Sequence, residues 1–169
     1  QYYERQRQAL SQGKLRKLCR QEFLTFMRMR EWRDVHRELK VLCRELKLHV
    51  NETAAPYESV HRALLSGLLG FIGSKNREHE YAGARNRQHF IFPGSTLFKR
   101  RPRWIVSSQP TQTSRLYGRV VAAIDKSWIE PLAHHLVERT YSDVAFEPNQ
   151  GEVLAFEEVT LYALPIVTR

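Results

Sequence analysis

Apolar residues in the first third of the chain recur at three- and four-residue steps. From Lys14 to Met29 they are Leu15, Leu18, Cys19, Phe23, Phe26 and Met27, one face of a helix, with Lys14, Arg16, Lys17, Arg20 and Arg28 filling much of the rest. A second stripe, Val35, Leu39, Leu42, Cys43 and Leu46, predicts a helix from about Glu31 to Leu48, with Glu31 and Asp34 in the first turn where they favour the macrodipole. Pro56 suits the first turn of a third helix, with Val60, Leu64 and Leu68 inward. Residues 1–12 are polar and read as a helix end or frayed start, and Gly13 punctuates them. The aromatic residues Phe23, Phe26 and Trp32 are read as core. Three amphipathic helices with short connections predict a small bundle over residues 1–69.

Gly67, Gly70 and Gly73 mark a change of period. Short β-like runs follow at Glu80–Ala84, Gln88–Phe92, Trp104–Ser108 and Ser114–Ile124, separated by turn residues as in a small barrel over residues 70–135. Asp125 is placed to cap a helix containing Trp128, Ile129, Leu132, Leu136 and Val137. In the remaining extension, residues 136–169, Val153–Phe156 and Val159–Leu164 read as strands on either side of Glu157-Glu158. The fold class is therefore α+β: a helical bundle, a barrel and a C-terminal extension.

Composition narrows the reading. At 42% hydrophobic and 27% charged, the chain is globular rather than disordered. No apolar run approaches the roughly 20 residues of a membrane helix, so no membrane partner is expected. The first residue is glutamine and no signal-peptide pattern follows, which predicts a piece of a longer protein. Cys19 and Cys43 are far apart and belong to no Cys-x-x-Cys pair, so a reducing, cytoplasmic setting fits better than a zinc site or a disulfide framework.

The net charge of +9 is segregated: residues 1–50 carry +7, 51–74 carry −1, 75–120 carry +8 and 121–169 carry −5. Two basic segments point to a polyanionic partner. The densest cations lie between two strand-like runs. Pro93-Gly94-Ser95 stops the first run, and Lys99, Arg100, Arg101 and Arg103 follow before Trp104 opens the next. A nucleic-acid-binding barrel presents such loops, with cations for phosphate and nearby aromatics for bases. A solvated loop that touches nothing is the plainer alternative. Tyr81, Phe90 and Tyr117 are the stacking candidates if exposed.

Catalytic chemistry is not encoded. Gly73-Ser74-Lys75 has the wrong order for a phosphate-binding loop and lacks the upstream glycine. His134 and His135, with Glu130 and Glu138 nearby, lack the convergent ligands of a metal site. Ser95 and Ser114 have no evident base partner.

The order of several stretches resembles a known family. They are Cys19 to Leu24, Met29 to Leu39, Ala63 to Leu69, Ile91 to Phe98, Pro102 to Val106, Thr113 to Val120, and Ile124-Asp125 with Trp128. Together they resemble the C-terminal accessory region of DEAH-box RNA helicases, nearest in order to the bacterial HrpA-type branch. Glu138 to Ser142 and Leu161 to Val167 resemble the start of that branch's extra C-terminal region. The resemblance implies a ratchet-type helix bundle followed by an OB-fold barrel, which sit on two motor domains and close a tunnel around single-stranded RNA. ATP and magnesium would belong to those motors, with no cofactor, metal or catalytic residue in this chain. The implied RNA-binding residues are Lys99, Arg100, Arg101, Arg103, Ser95, Thr96, Arg115, Arg85, Arg87, Lys17 and Arg20. An activator protein or a ribosomal partner is the alternative to RNA, a free-standing DNA-binding regulator is a third reading, and the chain is expected to be monomeric.

Overall fold

The computed structural model describes residues 2–147 and 151–169. They divide into two compact units, one ending at Ala54 and the other beginning at Ala55.

The first unit holds α1 (Tyr2–Ala9), α2 (Gln12–Gln21) and α3 (Phe26–Glu45). Its core is small: Tyr3, Leu15 and Cys19, flanked by Leu10, Phe26 and Met29. Tyr3, in the stretch expected to fray, is thus anchored. The helix expected to run on to Met29 stops at Gln21. Phe23 adopts a left-handed φ of 55°, its N–H bonds to the Arg20 carbonyl, and the Leu24 N–H bonds to the Cys19 carbonyl at 2.8 Å. That paired closure ends a helix sharply and turns the chain outward. Phe23 is consequently 98% exposed rather than core, and Trp32 is exposed as well. The turn also resets the phase, so α3 runs straight through the break expected near Arg30. The stripe Val35, Leu39, Leu42 and Leu46 is exposed, and α3 buries no residue.

The helix expected to complete the bundle belongs elsewhere. In the second unit α4 (Tyr57–Ser66) contributes Leu65 to a core that also holds Leu69, Ile72, Trp104, Val106, Ile124 and Ile129. The Tyr57 hydroxyl donates to the Ala123 carbonyl at 2.9 Å, fixing its other end. The compact division therefore falls after Ala54 and not after Leu69, because burial ties α4 to the barrel.

The barrel is built from β1 (Ile72–Lys75), β2 (Glu80–Gly83), β3 (Gln88–Ile91), β4 (Trp104–Gln112) and β5 (Leu116–Ala123). It closes in the order β1-β2-β3-β5-β4, with β4 returning to β1. All pairs are antiparallel except β3 with β5. Tyr81, Ile91 and Ile105 form a second core inside it. Gly73-Ser74-Lys75 is simply barrel strand, and a Cβ at Gly73 would stand 2.5 Å from the buried His89 ring. Burial pushes the His89 imidazole below its ordinary pKa, which keeps it neutral.

The extension is a three-stranded sheet of β6 (Val137–Glu147), β7 (Glu152–Leu161) and β8 (Leu164–Thr168). Val159, Leu161, Leu164 and Ile166 join the α4 core, so this sheet packs on the barrel unit. Asp125 does cap, accepting from the Ser127 N–H at 2.8 Å, but what it caps is a 3₁₀ turn, Lys126–Trp128, which runs into α5 (Ile129–Leu132), itself a single turn. Val137 already belongs to β6. Glu157-Glu158 lies within β7 rather than between two strands. Glu157 accepts from Arg139 at 2.9 Å and Arg169 at 2.6 Å, and these ion pairs hold its carboxyl below the usual range.

Candidate nucleic-acid interface

Strand alternation generates the site. On β3, His89 and Ile91 are buried, so Gln88 and Phe90 face out. The Phe92 N–H donates to the Gly118 carbonyl at 3.0 Å, extending the β3–β5 pairing and keeping Phe92 in the same row as Phe90. On β5, Gly118 is buried and Tyr117 and Arg119 flank it, with Arg115 just before the strand. A Cβ at Gly118 would meet the Ser107 hydroxyl at 2.7 Å, so glycine permits the close approach of β4 and β5. The parallel register sets Phe90 opposite Tyr117.

The outcome is an aromatic row roofed by guanidinium groups. Phe90 and Phe92 each lie 6.1 Å from the Tyr117 ring, the latter edge-on. Arg115 sits 4.8 Å from the Phe90 centroid and Arg119 4.8 Å from that of Phe92. Beside Phe90, a hollow of about 380 Å³ is lined by Arg87, Gln88, Phe90, Gln112, Arg115 and Leu116. Flat cationic and aromatic surfaces of this kind accept unpaired bases by stacking and their phosphates by charge.

The sequence candidates fall into separate groups. Arg87 and Arg115 meet at the hollow. Arg85 adopts a φ of 59°, donates its N–H to the Tyr162 carbonyl at 2.7 Å, and lays its guanidinium 5.4 Å from the Tyr162 ring. The loop that follows Phe92 is wound rather than open. The Ser95 hydroxyl accepts from the Leu97 N–H at 3.3 Å and the Arg101 N–H bonds to the Leu97 carbonyl at 2.9 Å. Phe98 stacks on His79 at 4.7 Å. Lys99, Arg100, Arg103 and Thr96 are exposed on it. Arg101 instead turns inward to an ion pair with Glu78. Lys17 and Arg20 are exposed on α2, in the helical unit.

Tyr81 is no stacking platform. It is fully buried, its hydroxyl donates to the Pro102 carbonyl at 2.8 Å, and burial raises its pKa. Sequence reasoning missed Phe92, Arg119, Gln88 and Gln112 as site residues. The period-two spacing of Phe90 with Phe92, and of Arg115, Tyr117 and Arg119, was a signal for the row. Among the described residues no group of three or more His, Cys, Asp and Glu side chains is placed to hold a metal ion. Glu130, beside the histidine pair, is engaged by Arg139 at 2.7 Å. No described helix is long and apolar enough to cross a membrane.

Comparison with known proteins agrees with this geometry. Residues 60–136 match the oligonucleotide/oligosaccharide-binding (OB) fold family model. The chain is 48% identical over 167 residues to the ATP-dependent RNA helicase HrpA of Escherichia coli K12, covering 98% of this chain and 13% of that protein. It is 44% identical over the same length to the HrpA homolog of Haemophilus influenzae, again 13% of that protein. The chain thus spans about 13% of the length of these curated relatives. The crystal structure of the E. coli DExH-box NTPase HrpB shares the fold, with a TM-score of 0.53 and 16% identity over 77% of this chain and 16% of that one. The closed barrel, its flanking helices and identity along nearly the whole length make this chain similar to the C-terminal accessory region of HrpA-like helicases, with an OB-fold barrel over residues 60–136.

Proposed function

We propose that this region grips single-stranded RNA for a DEAH-box motor, holding phosphates with cations and bases on its aromatic row. The observation that carries the reading is the row Phe90, Tyr117 and Phe92 beneath Arg115 and Arg119. The exposed Lys99, Arg100 and Arg103 extend it as phosphate contacts, and Lys17 and Arg20 supply a second cationic surface on the helical unit. In this reading the chain is a cytoplasmic, monomeric, non-catalytic part of an ATP-dependent helicase. ATP and magnesium are bound by the parent's motor domains and not by this region.

The test is fluorescence anisotropy with labelled single-stranded RNA on Phe90→Ala and Phe92→Ala. Each variant weakens binding by roughly 1–3 kcal/mol if its ring stacks on a base, with little change in the salt dependence. Affinities equal to wild type would remove the stacking surface from the account.

A protein-docking role, to an activator or a ribosomal partner, is favoured by a separate observation. The far part of the β6–β7 hairpin exposes Val144, Phe146, Val153 and Phe156. Acidic Glu152 and Asp143 flank these residues, so this surface does not suit RNA.

A further inference from the structure

Next to the hollow beside Phe90 the barrel carries a second cavity, which the aromatic row does not use. The two share Arg87 and Leu116 as lining residues. The second has a volume of about 270 Å³, and Phe71, Ala84, Pro110 and Leu116 supply its apolar walls. Two polar side chains also line it, His89 from β3 at 4% exposed and Ser107 from β4 at 1% exposed. Among the described residues neither His89 Nε2 nor the Ser107 hydroxyl has a hydrogen-bond partner. Arg87, by contrast, is exposed and stands at the rim.

The barrel gives up ordinary strand packing to keep the imidazole there. Gly73 and Gly83 pair across β1 and β2. A Cβ would stand 2.5 Å from the His89 ring at Gly73 and 2.8 Å from it at Gly83. Glycine weakens a strand interior, and a buried polar group that bonds to nothing costs stability. Apolar residues at these places would avoid both costs, so the two groups call for a role outside the fold.

We propose that this cavity takes one base of the bound strand, its edge on His89 and Ser107, beside the base stacked on Phe90 and with Arg87 on the phosphate between them. The proposal rests on the RNA-binding reading above and adds a subsite to it.

The chemistry of the lining matches a base. Burial keeps the imidazole neutral, so it presents one donor and one acceptor nitrogen, and a hydroxyl presents both. Every base edge carries donors or acceptors, so the pair anchors a base without choosing among the four. Two uncharged groups do not match a phosphate or carboxylate in the interior, whereas the guanidinium at the rim does match one outside it. The apolar walls suit a flat, unsaturated ring. The volume falls just under the ~300 Å³ at which pockets for larger ligands begin, which suits a single heterocycle with its ribose outside.

The measurement uses the whole chain with nitrogen-15 label, a ten-nucleotide single-stranded RNA containing all four bases, and the four nucleoside 5′-monophosphates. The imidazole nitrogen resonances of His89, assigned by their loss in His89→Phe, are expected to move on adding the RNA. Ser107→Ala removes the unbonded hydroxyl. It is expected to weaken RNA binding roughly tenfold, the order of one buried hydrogen bond, while its thermal midpoint stays equal or rises. RNA binding that leaves the His89 resonances in place would overturn the subsite and leave the RNA-binding reading standing. Resonances that move with a monophosphate but not with the strand would also overturn it, by assigning the cavity to free nucleotides. A lower midpoint with unchanged RNA binding for Ser107→Ala would make the hydroxyl a packing group and overturn its role. If Ser107→Ala does not fold, the wild-type His89 resonances decide alone. If the wild type binds no RNA, both this proposal and the RNA-binding reading fall.

Discussion

Arg100 and Arg101 are adjacent and chemically identical, yet the fold gives them different work. Arg100 is exposed, whereas Arg101 adopts a φ of 48° and turns its guanidinium to Glu78 on the β1–β2 turn. Arg101→Ala is expected to lower stability by about 0.2–1 kcal/mol, the range of partly exposed ion pairs, and to leave the salt dependence of RNA binding unchanged. Arg100→Ala does the reverse, flattening the log K against log salt plot by about 0.7 if it holds one phosphate. Thermal melts and salt titrations of both variants separate the roles, and a slope change for Arg101→Ala alone would invert the assignment. Composition made this cationic run conspicuous in the sequence. Which of its members faces inward was not legible, because Glu78 lies more than twenty positions away and meets Arg101 only once the barrel is closed. The same holds for Tyr81: its aromatic character suggested stacking, and only tertiary burial turns its hydroxyl to Pro102.

Helix ends are where the element-scale reading failed, and the reason is specific. Both α2 and α3 finish with a left-handed residue that is not glycine, Phe23 at φ 55° and Lys47 at φ 54°. Each makes the same pair of closing bonds; for α3 they run from Lys47 to Arg44 at 3.1 Å and from Leu48 to Cys43 at 2.8 Å. Glycine at these positions would have announced the stops. Without it, apolar spacing carried the first helix on through Phe23 to Met29. Lys47→Gly is therefore expected to stabilise the helical unit by roughly 0.5–1 kcal/mol, the relief of left-handed strain less the added freedom of the unfolded chain. Lys47→Val is expected to destabilise it, since a β-branched side chain tolerates that backbone least. The two thermal midpoints, followed by circular dichroism, should bracket the wild type; a lower midpoint for Lys47→Gly would mean the strain is not relieved. The strand β6 was missed for a different reason. Its partner β7 comes later in the chain, and register shifts between Ser142 and Ala145, so its alternation is broken along the chain and restored only by pairing.

At the scale of the whole molecule, the mixed architecture and the barrel were legible because turn residues punctuate the short strands. The division between units was not, because helical periodicity reports that α4 has an apolar face but not what that face meets. Its partners are the barrel strands and the last sheet: Leu65 is fully buried and Leu69 is 6% exposed among Ile72, Trp104, Val159 and Ile166. A piece comprising residues 55–169 keeps this core and the Tyr57 to Ala123 bond intact. It is expected to fold alone, with a cooperative thermal transition and dispersed amide resonances. A piece starting at residue 70 loses both leucines. Each buried leucine removed to alanine costs about 2–5 kcal/mol, and deleting the helix removes more than those side chains. The summed loss of roughly 4–10 kcal/mol matches the whole 5–15 kcal/mol of a typical domain. The shorter piece should therefore show a broad, non-cooperative melt and collapsed amide dispersion. Cooperative folding of both pieces would mean that α4 is an accessory to the barrel; failure of both would mean that the barrel unit depends on residues before Ala55.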